Sequence, residues 1–305
     1  MTERELSSTP SMLPMFALAG AAMIPGASRL PFLGGGADEI PDLVLKLSDV
    51  ETDLDRLARY DRVCSFSLGD TLPPTYPHML CFPLHLALMT DGRFPFGAIG
   101  LVHIANRIVQ HRPIGARERL SLRVWATPLE SHPRGVQFGI RSEARVGEEL
   151  VWEELSTNLR RGADGGSAEP LTSGSEPPAR PSAAAPSPPS SKALPASATW
   201  RLPGDLGRRY GAVSGDLNPI HVHPLTARLF GFRSAIAHGM WTKARCLAAL
   251  GPELPGACTV DVAFKRPILL PATVEYAEGR DSSEIRFGVR DAERDKPHLD
   301  GVASF

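Results

Sequence analysis

The chain has 305 residues, of which 42% are hydrophobic and 22% charged, and its formal net charge is −1. This composition is typical of a globular protein, and the length is enough for two modest domains or one large one. The small net charge gives no electrostatic reason to expect nucleic acid or an acidic membrane surface as a partner. The four cysteines contain no CxxC pair, so they predict neither a zinc site nor a disulfide framework and favour a reducing compartment.

The first 34 residues are a separate N-terminal segment with an apolar run, MLPMFALAGAAMI, at 12–24. The run is too short to span a bilayer, and Pro14 and Pro25 interrupt it. The preceding MTERELSS has two glutamates against one arginine, the wrong balance for a signal peptide. We therefore expect the segment to pack on the body of a cytoplasmic protein.

A long stretch rich in Gly, Ala, Ser and Pro covers residues 162–197, and eight of the 29 prolines fall between 161 and 200. Such a composition buries too little apolar surface to offset the entropy of ordering it. The stretch is therefore predicted to be a linker between a first half, 35–161, and a second half, 198–305.

The two halves carry similar patterns in the same order. In the first, YPHMLCFPLHLALMTDG (76–92) precedes IVQHRPIGARERLSLRVWA (108–126); in the second, IAHGMWTKARCLAALG (236–251) precedes VAFKRPILLPATVEYAE (262–278). Each has a His, an apolar run that ends at a Gly, a strand that carries HRPI or KRPI, and a second strand. This order indicates an internal duplication.

Periodicity indicates the elements of each half. Met240, Ala244 and Leu247 recur at helical spacing, and Gly251 suits the residue after a helix end. Apolar and polar residues alternate in three stretches that we predict to be half-buried strands, at 120–128, 136–146 and 283–291. Each half is predicted to be a central helix wrapped by an antiparallel sheet, which is an α+β plan.

Candidate catalytic residues are concentrated in RYGAVSGDLNPIHVHPLTARLFGFRSAIAHGM, residues 209–240. Asn tolerates unusual backbone angles and Pro fixes φ, so the Asn218–Pro219 pair predicts a turn. The turn brings the carboxylate of Asp216 and the imidazole of His221 towards one reacting centre.

Two further elements complete this candidate site. A short helix should start at Pro224 and end before Gly231, and form one wall of the site. A main helix should start near Gly239, where the first amides have no partner within the helix and lie at the positive end of its dipole. An oxygen that gains negative charge during a reaction would be stabilised there.

These groups suit the addition of water to, or its removal from, the carbon β to a carbonyl. One group activates water at Cβ, one moves a proton at Cα, and one holds the enolate-like oxygen. Asp216, His221 and the Gly239 amide meet these needs without a metal or cofactor. The spacing of His221, His223, His238 and Asp216 fits no zinc pattern, so no metal is predicted.

SGDLNPIH followed by IAHGM resembles the motif of the MaoC-like, (R)-specific enoyl-thioester hydratases, or hydratase 2, which have the hot-dog fold. The resemblance implies that Asp216 and His221 are the catalytic pair and that Gly239 supplies an oxyanion amide. The arrangement in two halves resembles the double hot-dog members, particularly the actinobacterial 3-hydroxyacyl-thioester dehydratases of fatty-acid metabolism. The resemblance is strong over 198–278 and weaker over 55–160.

The function this implies is reversible hydration of trans-2-enoyl thioesters to (R)-3-hydroxyacyl thioesters. The substrate would be an acyl-CoA or acyl-carrier-protein thioester, with no cofactor, no metal, no nucleic acid and no membrane partner. The halves would form a pseudo-dimer within one chain, as a monomer or as a homodimer. Two alternatives stay open: a non-catalytic subunit that binds acyl thioesters, and a hot-dog thioesterase.

Several neighbouring residues have supporting or binding roles in this interpretation. Asn218, Ser214 and Tyr210 are expected to support the turn, and His238 either contacts substrate or lies at the helix entry. Four cations are weighed as contacts for the phosphates of a CoA or carrier-protein arm, against the default interpretation of scattered surface charge: Lys243, Arg245, Lys265 and Arg266.

The first half departs from the motif, with SLGDTLPPTYPHML at 67–80. Seven residues separate Asp70 from His78, against 21 between Asp216 and His238, and the Asn-Pro turn and short helix are absent. We therefore predict that Asp70 and His78 form no second active site. The lost helix is predicted to open a groove for the acyl tail of a bulky or long-chain substrate.

Overall fold

The computed structural model describes residues 2–12, 14–15, 39–98, 100–162 and 188–305. Most of the apolar N-terminal run and residues 163–187 of the predicted linker lie outside this range. The described end of the linker contacts the second half, because Ser191 donates from its backbone N–H and its hydroxyl to Asp300 Oδ1, at 2.9 and 2.6 Å. The division of the chain at 34, 161 and 197 stays a prediction.

The N-terminal segment contributes strand β1, and the described residues of the first half contain six strands and two helices. The strands are β1 (Thr2–Glu5), β2 (Leu43–Val50), β3 (Leu101–Gln110), β4 (Leu120–Ala126), β5 (Glu130–His132), β6 (Gly135–Val146) and β7 (Glu149–Arg161). The helices are α1 (Leu54–Cys64) and α2 (Tyr76–Met89).

The second half consists of five strands and four helices. The strands are β8 (Ala196–Leu202), β9 (Cys258–Phe264), β10 (Ala272–Arg280), β11 (Glu284–Asp291) and β12 (Pro297–Ser304). The helices are α3 (Leu206–Ser214), α4 (Pro219–Val222), α5 (Pro224–Leu229) and α6 (Gly239–Leu250), which a 3₁₀ turn (Gly251–Glu253) follows.

All described strands belong to one sheet, in the order β1-β2-β4-β6-β7-β3-β9-β12-β11-β10-β8, with β5 paired to β6. Every pairing is antiparallel except β1 with β2. The halves meet where β3 pairs with β9, from Ala105 opposite Ala263 to Gln110 opposite Cys258. We call this pairing the seam.

The seam joins corresponding strands of the two predicted copies. HRPI follows the end of β3 directly, and KRPI follows the end of β9. The two tetrapeptides therefore lie just beyond the strands and not within them, which corrects the expectation that the strands carry them. A like-with-like antiparallel pairing is what a pseudo-two-fold relation between duplicated halves requires.

The predicted main helix and strands are present. Helix α6 covers Gly239–Leu250, and Gly251 at its end has φ +57°, a left-handed angle that suits glycine. Strands β4, β6 and β11 lie in the three alternating stretches. The α+β prediction is therefore confirmed at the level of the elements.

Lys243, on α6, is completely buried at the seam. Its Nζ lies 2.5 Å from Asn106 Oδ1 and 3.3 Å from Asn106 O on β3, and 3.0 Å from Val260 O on β9. These acceptors match the three N–H donors of an ammonium group. The interpretation of Lys243 as a phosphate contact is wrong, because its side chain is enclosed in the protein, where burial lowers its pKa to about 7 against the opposing charge of Glu154. Arg245 instead lies 4.3 Å over the Trp200 ring.

The hydrogen bonds continue from Lys243 into the first half. Asn106 donates through Nδ2 to Glu154 Oε1 at 2.6 Å, and His78 Nδ1 lies 2.8 Å from the same oxygen. Burial would raise the pKa of Glu154, but the charge and hydrogen bond of His78 and the Asn106 amide outweigh it and lower the pKa to about 2. Lys243, Asn106, Glu154 and His78 form what we call the buried polar chain.

Replacing Lys243 with Met should destabilise the fold. The change keeps most of the volume but leaves the buried Asn106 Oδ1 without its donor, and an unsatisfied buried polar group costs about 1–3 kcal/mol of unfolding free energy. Urea unfolding measures this loss. Lys296 is exposed, so Lys296→Met should stay within about 0.5 kcal/mol of the unmodified protein. Equal midpoints for the two variants would contradict this account of the seam.

Candidate active site

The turn at Asp216 follows the end of α3 and is held by local hydrogen bonds. Gly215 has φ +83° at the helix end, and Asp216 N–H donates to Ser214 Oγ at 3.1 Å. Asn218 N–H donates to Asp216 Oδ1 at 3.1 Å, and Asn218 Oδ1 accepts from Ile220 N–H at 3.3 Å. Asp216 Oδ1 is therefore engaged by the turn, while Oδ2 is available to a ligand.

His221 is buried on the one-turn helix α4, and its tautomer follows from one contact. Its Nδ1 lies 2.8 Å from the carbonyl oxygen of Ile236, and a carbonyl only accepts, so Nδ1 carries the hydrogen. The lone pair of the neutral ring is therefore on Nε2. Burial lowers the pKa of His221, although the Asp216 charge opposes this, so the ring is suited to act as a neutral base.

His238 supports both members of the pair. Its ring stacks on His221 with 3.7 Å between centroids, and its Nε2–H donates to the Asp216 carbonyl at 3.1 Å. Burial lowers the pKa of His238 to about 3, so this ring is neutral. Tyr210 packs 4.9 Å from His238, centroid to centroid. Of the two roles weighed for His238, these contacts favour the helix-entry role, in which it positions Asp216.

Gly239 is the first residue of α6, so its amide is among those without an acceptor inside the helix. A Cβ built here would lie 3.0 Å from the Phe264 ring. Glycine therefore serves close packing on Phe264 and also leaves the amide open to approach. Both interpretations of this glycine are compatible with the geometry.

One cavity, of about 580 Å³, unites these groups. Nine of the site residues predicted from the sequence line it: Asp216, His221, Gly239, Asn218, Ser214, Tyr210, His238, Lys265 and Arg266. Lys265 and Arg266 are exposed, and the Lys265 Nζ lies 3.7 Å from Asp300 Oδ2. The opposite wall comes from the first half, including Met79, Phe82 and Leu86 of α2.

Two glycines of α3 let the helix lie directly on the backbone of the turn. A Cβ at Gly207 would be 1.9 Å from the His221 carbonyl oxygen, and one at Gly211 would be 2.9 Å from the Asp216 carbonyl oxygen. We did not predict this role from the sequence. The spacing of four residues places both glycines on one helix face, and this was the available signal.

Arg56 braces the turn from the first half. Its Nε donates to Val213 O at 2.7 Å and its Nη2 to Ser214 O at 3.1 Å, so it caps the end of α3 just before Asp216. A second bond across the halves joins Trp241 Nε1 to Val63 O at 3.0 Å. Nothing near Arg56 in the sequence indicates these contacts.

The corresponding residues of the first half are separated. Asp70 is exposed and lines a different cavity, beside Asp61 and Glu118. His78 lies inside α2, not at its start, and pairs with Glu154. Asp70 and His78 thus line different cavities, and the absence of a second catalytic pair stays a prediction.

Asp216, His221 and His238 each offer one possible ligand atom, all within 4.8 Å of one another. Two of the imidazole nitrogens already donate to backbone carbonyls, as described above. Chemistry without a metal stays a prediction.

Comparison with known proteins places the chain in a family. A family model of the MaoC-like domain matches residues 191–302. The 3-hydroxyacyl-thioester dehydratase X of Mycobacterium tuberculosis is 34% identical over 292 residues, which are 95% of this chain and 96% of that protein. The chain belongs to the MaoC-like dehydratase family. The predicted enzyme class, a hydro-lyase, is supported by this relationship.

Solved structures of this family have the same fold. The crystal structure of HtdX from M. tuberculosis has a TM-score of 0.72 and 31% identity, and the match covers 85% of this chain and 98% of that one. A second M. tuberculosis protein, described as a double hot-dog fold, has a TM-score of 0.53 at 14% identity, over 84% of this chain and 93% of its own. The prediction of a double hot-dog fold is confirmed.

Among the described residues, no helix combines the length and hydropathy needed to cross a membrane.

Gly207→Ala should destabilise the MaoC-like half by about 1–3 kcal/mol, because its methyl group would collide with the His221 carbonyl. Thermal or urea unfolding measures the loss. Gly204 is the matched control, since a Cβ there meets only Pro271 Cδ at an ordinary 3.8 Å. If Gly204→Ala and Gly207→Ala lose the same stability, α3 does not lie on the turn as described.

Proposed function

We propose that the chain catalyses the reversible hydration of trans-2-enoyl thioesters to (R)-3-hydroxyacyl thioesters. The observation that carries this proposal is the convergence of Asp216, His221 and the Gly239 amide on one cavity. The substrate class is supported by membership of the MaoC-like dehydratases and by the M. tuberculosis relative, which is named a 3-hydroxyacyl-thioester dehydratase.

The spacing of the pair suits a single water molecule. A ring nitrogen of His221 and a carboxylate oxygen of Asp216 lie within 4.8 Å of each other. Two acceptors at this separation can each receive a hydrogen bond of about 2.8 Å from one water. The water is thereby held with its oxygen free to attack.

In the hydration direction the water oxygen bonds to Cβ, and the Asp216–His221 pair takes one of its protons. The double-bond electrons move onto the thioester oxygen, where the Gly239 N–H stabilises the developing charge. The charge returns to Cα as the pair delivers a proton there. The net change is OH at Cβ and H at Cα, which requires no cofactor, and dehydration is the reverse.

The thioester's carrier arm is assigned to the exposed end of the cavity. Lys265 and Arg266 follow strand β9 and are placed to contact the phosphates of CoA or of a carrier-protein arm. His238 contributes to the substrate site by holding Asp216 in place.

The acyl tail is assigned to the first-half side. The cavity continues from Gly239 to the face of α2 that carries Met79, Phe82 and Leu86. No short helix lies between the described ends of α1 and α2 to close this side. This arrangement favours a bulky or long tail, in fatty-acid or related lipid metabolism.

The seam supports a pseudo-dimer within one chain. We infer that the active unit is one such chain or a homodimer of two, located in the cytoplasm.

Asp216→Asn and His221→Gln should each lower kcat by about 10²–10⁴-fold, because each removes an acid/base group. The assay follows loss of the conjugated-enoyl ultraviolet absorbance with trans-2-enoyl-CoA of short and of long chain.

The matched control for these variants is His111→Gln. His111 is exposed just beyond the end of β3, so this variant should keep full activity. Full activity in folded Asp216→Asn and His221→Gln would contradict the assignment of the pair. Release of free thiol from a saturated acyl thioester, with no loss of absorbance from trans-2-enoyl-CoA, would indicate a thioesterase.

The acidic side of the pH profile should report His221. Burial lowers its pKa from the ordinary 6.5, so the neutral base persists at pH values where an exposed His is protonated. The fall of kcat/KM on acidification should therefore have its midpoint below pH 6.5. A midpoint above this value, or one unchanged in His221→Gln, would rule out His221 as the base.

A further inference from the structure

The first-half wall of the cavity is not uniformly apolar. Beside Met79, Phe82, Leu86 and Met89 it contains polar side chains from α2, β3 and β7, namely His78, His85, His103, Ser156 and Asn158. An alkyl tail that covers polar groups without pairing them loses free energy, since their hydrogen bonds to water are not replaced. A purely alkyl tail is therefore a poor match for this wall.

His78 is the histidine of this wall that a carboxylate orients, and His103 Nε2 on the same wall also has no hydrogen-bond partner. Its Nδ1 contacts both carboxylate oxygens of Glu154, at 2.8 and 3.0 Å, so Nδ1–H donates to the carboxylate. Nε2 is on the opposite side of the ring and is directed away from Glu154. His78 lines the cavity, so Nε2 is the atom it offers there.

The ring of His78 is held rigidly. The Glu154 side chain is completely buried and that of His78 is 9% exposed. The Asn106 amide donates to Glu154, and Lys243 in turn donates to Asn106. An imidazole oriented by a buried carboxylate is a prepared hydrogen-bonding group, since no ordering is needed when a ligand binds.

The neighbouring histidines differ from His78. His85 Nε2 is 2.7 Å from Ser142 Oγ, so that nitrogen is already paired. Burial lowers the pKa of His85 to about 3 and that of His103 to about 4, so both rings are neutral. The His103 ring packs on Phe264 with 4.9 Å between centroids.

These contacts place the polar wall near the reacting carbons without joining it to them. Phe264 lies against Gly239, and His103 lies against Phe264. The Phe264 ring therefore separates His103 from Gly239, and His78 lines the same cavity wall as His103. The partner of His78 on the substrate belongs to the tail, beyond the carbons that react.

We propose that His78, oriented by Glu154, is a binding subsite for a hydroxyl group on the acyl tail, so that the preferred substrates are hydroxylated enoyl thioesters. A hydroxyl both donates and accepts hydrogen bonds. It therefore pairs with His78 Nε2 whether that nitrogen presents a lone pair or an N–H. The inference rests on the proposed hydratase function and defines its substrate class.

The test uses trans-2-enoyl-CoA thioesters of equal chain length, one with a plain alkyl tail and the others with a single hydroxyl moved along the tail. The unmodified protein should prefer one hydroxyl position over the plain tail by about tenfold in kcat/KM, the worth of one good hydrogen bond. Hydration of the plain tail with no preference for any hydroxylated one would overturn the subsite and leave the hydratase function intact. Hydration of none would overturn the function itself.

Variants assign the preference to His78. The double variant His78→Leu/Glu154→Gln removes the imidazole together with the carboxylate that orients it, and it should lose the preference while still hydrating the plain tail. A folded double variant that keeps the preference would overturn the assignment. If the double variant does not fold, the affinities of the unmodified protein for saturated acyl-CoAs with and without the hydroxyl decide the question, and equal affinities would overturn it.

The matched control is His111→Leu. His111 directly follows β3 and pairs with Glu153 of β7 at 3.0 Å, but it is exposed and outside the cavity. It should keep both the activity and the preference for the hydroxylated tail.

Discussion

The structure depends on one buried lysine. Lys243 is removed from water completely, which is costly unless every donor is matched and an opposite charge is near. The carbonyls of Asn106 and Val260 supply the match, and Glu154 supplies the charge through the Asn106 amide. One side chain thus ties α6 to both strands of the seam, and α6 begins with Gly239 one turn earlier.

The catalytic turn depends on the first half in a similar way. Arg56, on α1, binds the carbonyls of Val213 and Ser214, the last residues before the turn. The backbone carbonyls of Asp216 and His221 pack directly against α3. Gly207 and Gly211 of this helix allow the contact, because any side chain there would collide with these carbonyls. The second half contributes the chemical groups, but their geometry belongs to both halves.

The sequence allowed the site to be predicted because its parts are local. Asp216, Asn218 and His221 lie within one turn, and Gly239 follows a short helix, so spacing alone indicates how they meet. The seam contacts could not be predicted in this way. Lys243 and Asn106 are 137 positions apart, and Arg56 and Val213 are 157 apart. In the sequence, Lys243 and Arg56 have the pattern of ordinary exposed residues on helices. Only the tertiary fold shows that they are not exposed.

The two central helices differ at their starts, and this difference separates the roles of the halves. Helix α6 begins directly after His238, whereas α2 begins before the corresponding His78. In a symmetric homodimer every substitution occurs in both subunits. A change in the wall that faces the acyl tail in one subunit therefore also changes the subunit that carries the acid/base pair. Here each half is encoded once. Evolution can therefore change which tails are accepted, residue by residue along α2, while the acid/base pair stays untouched.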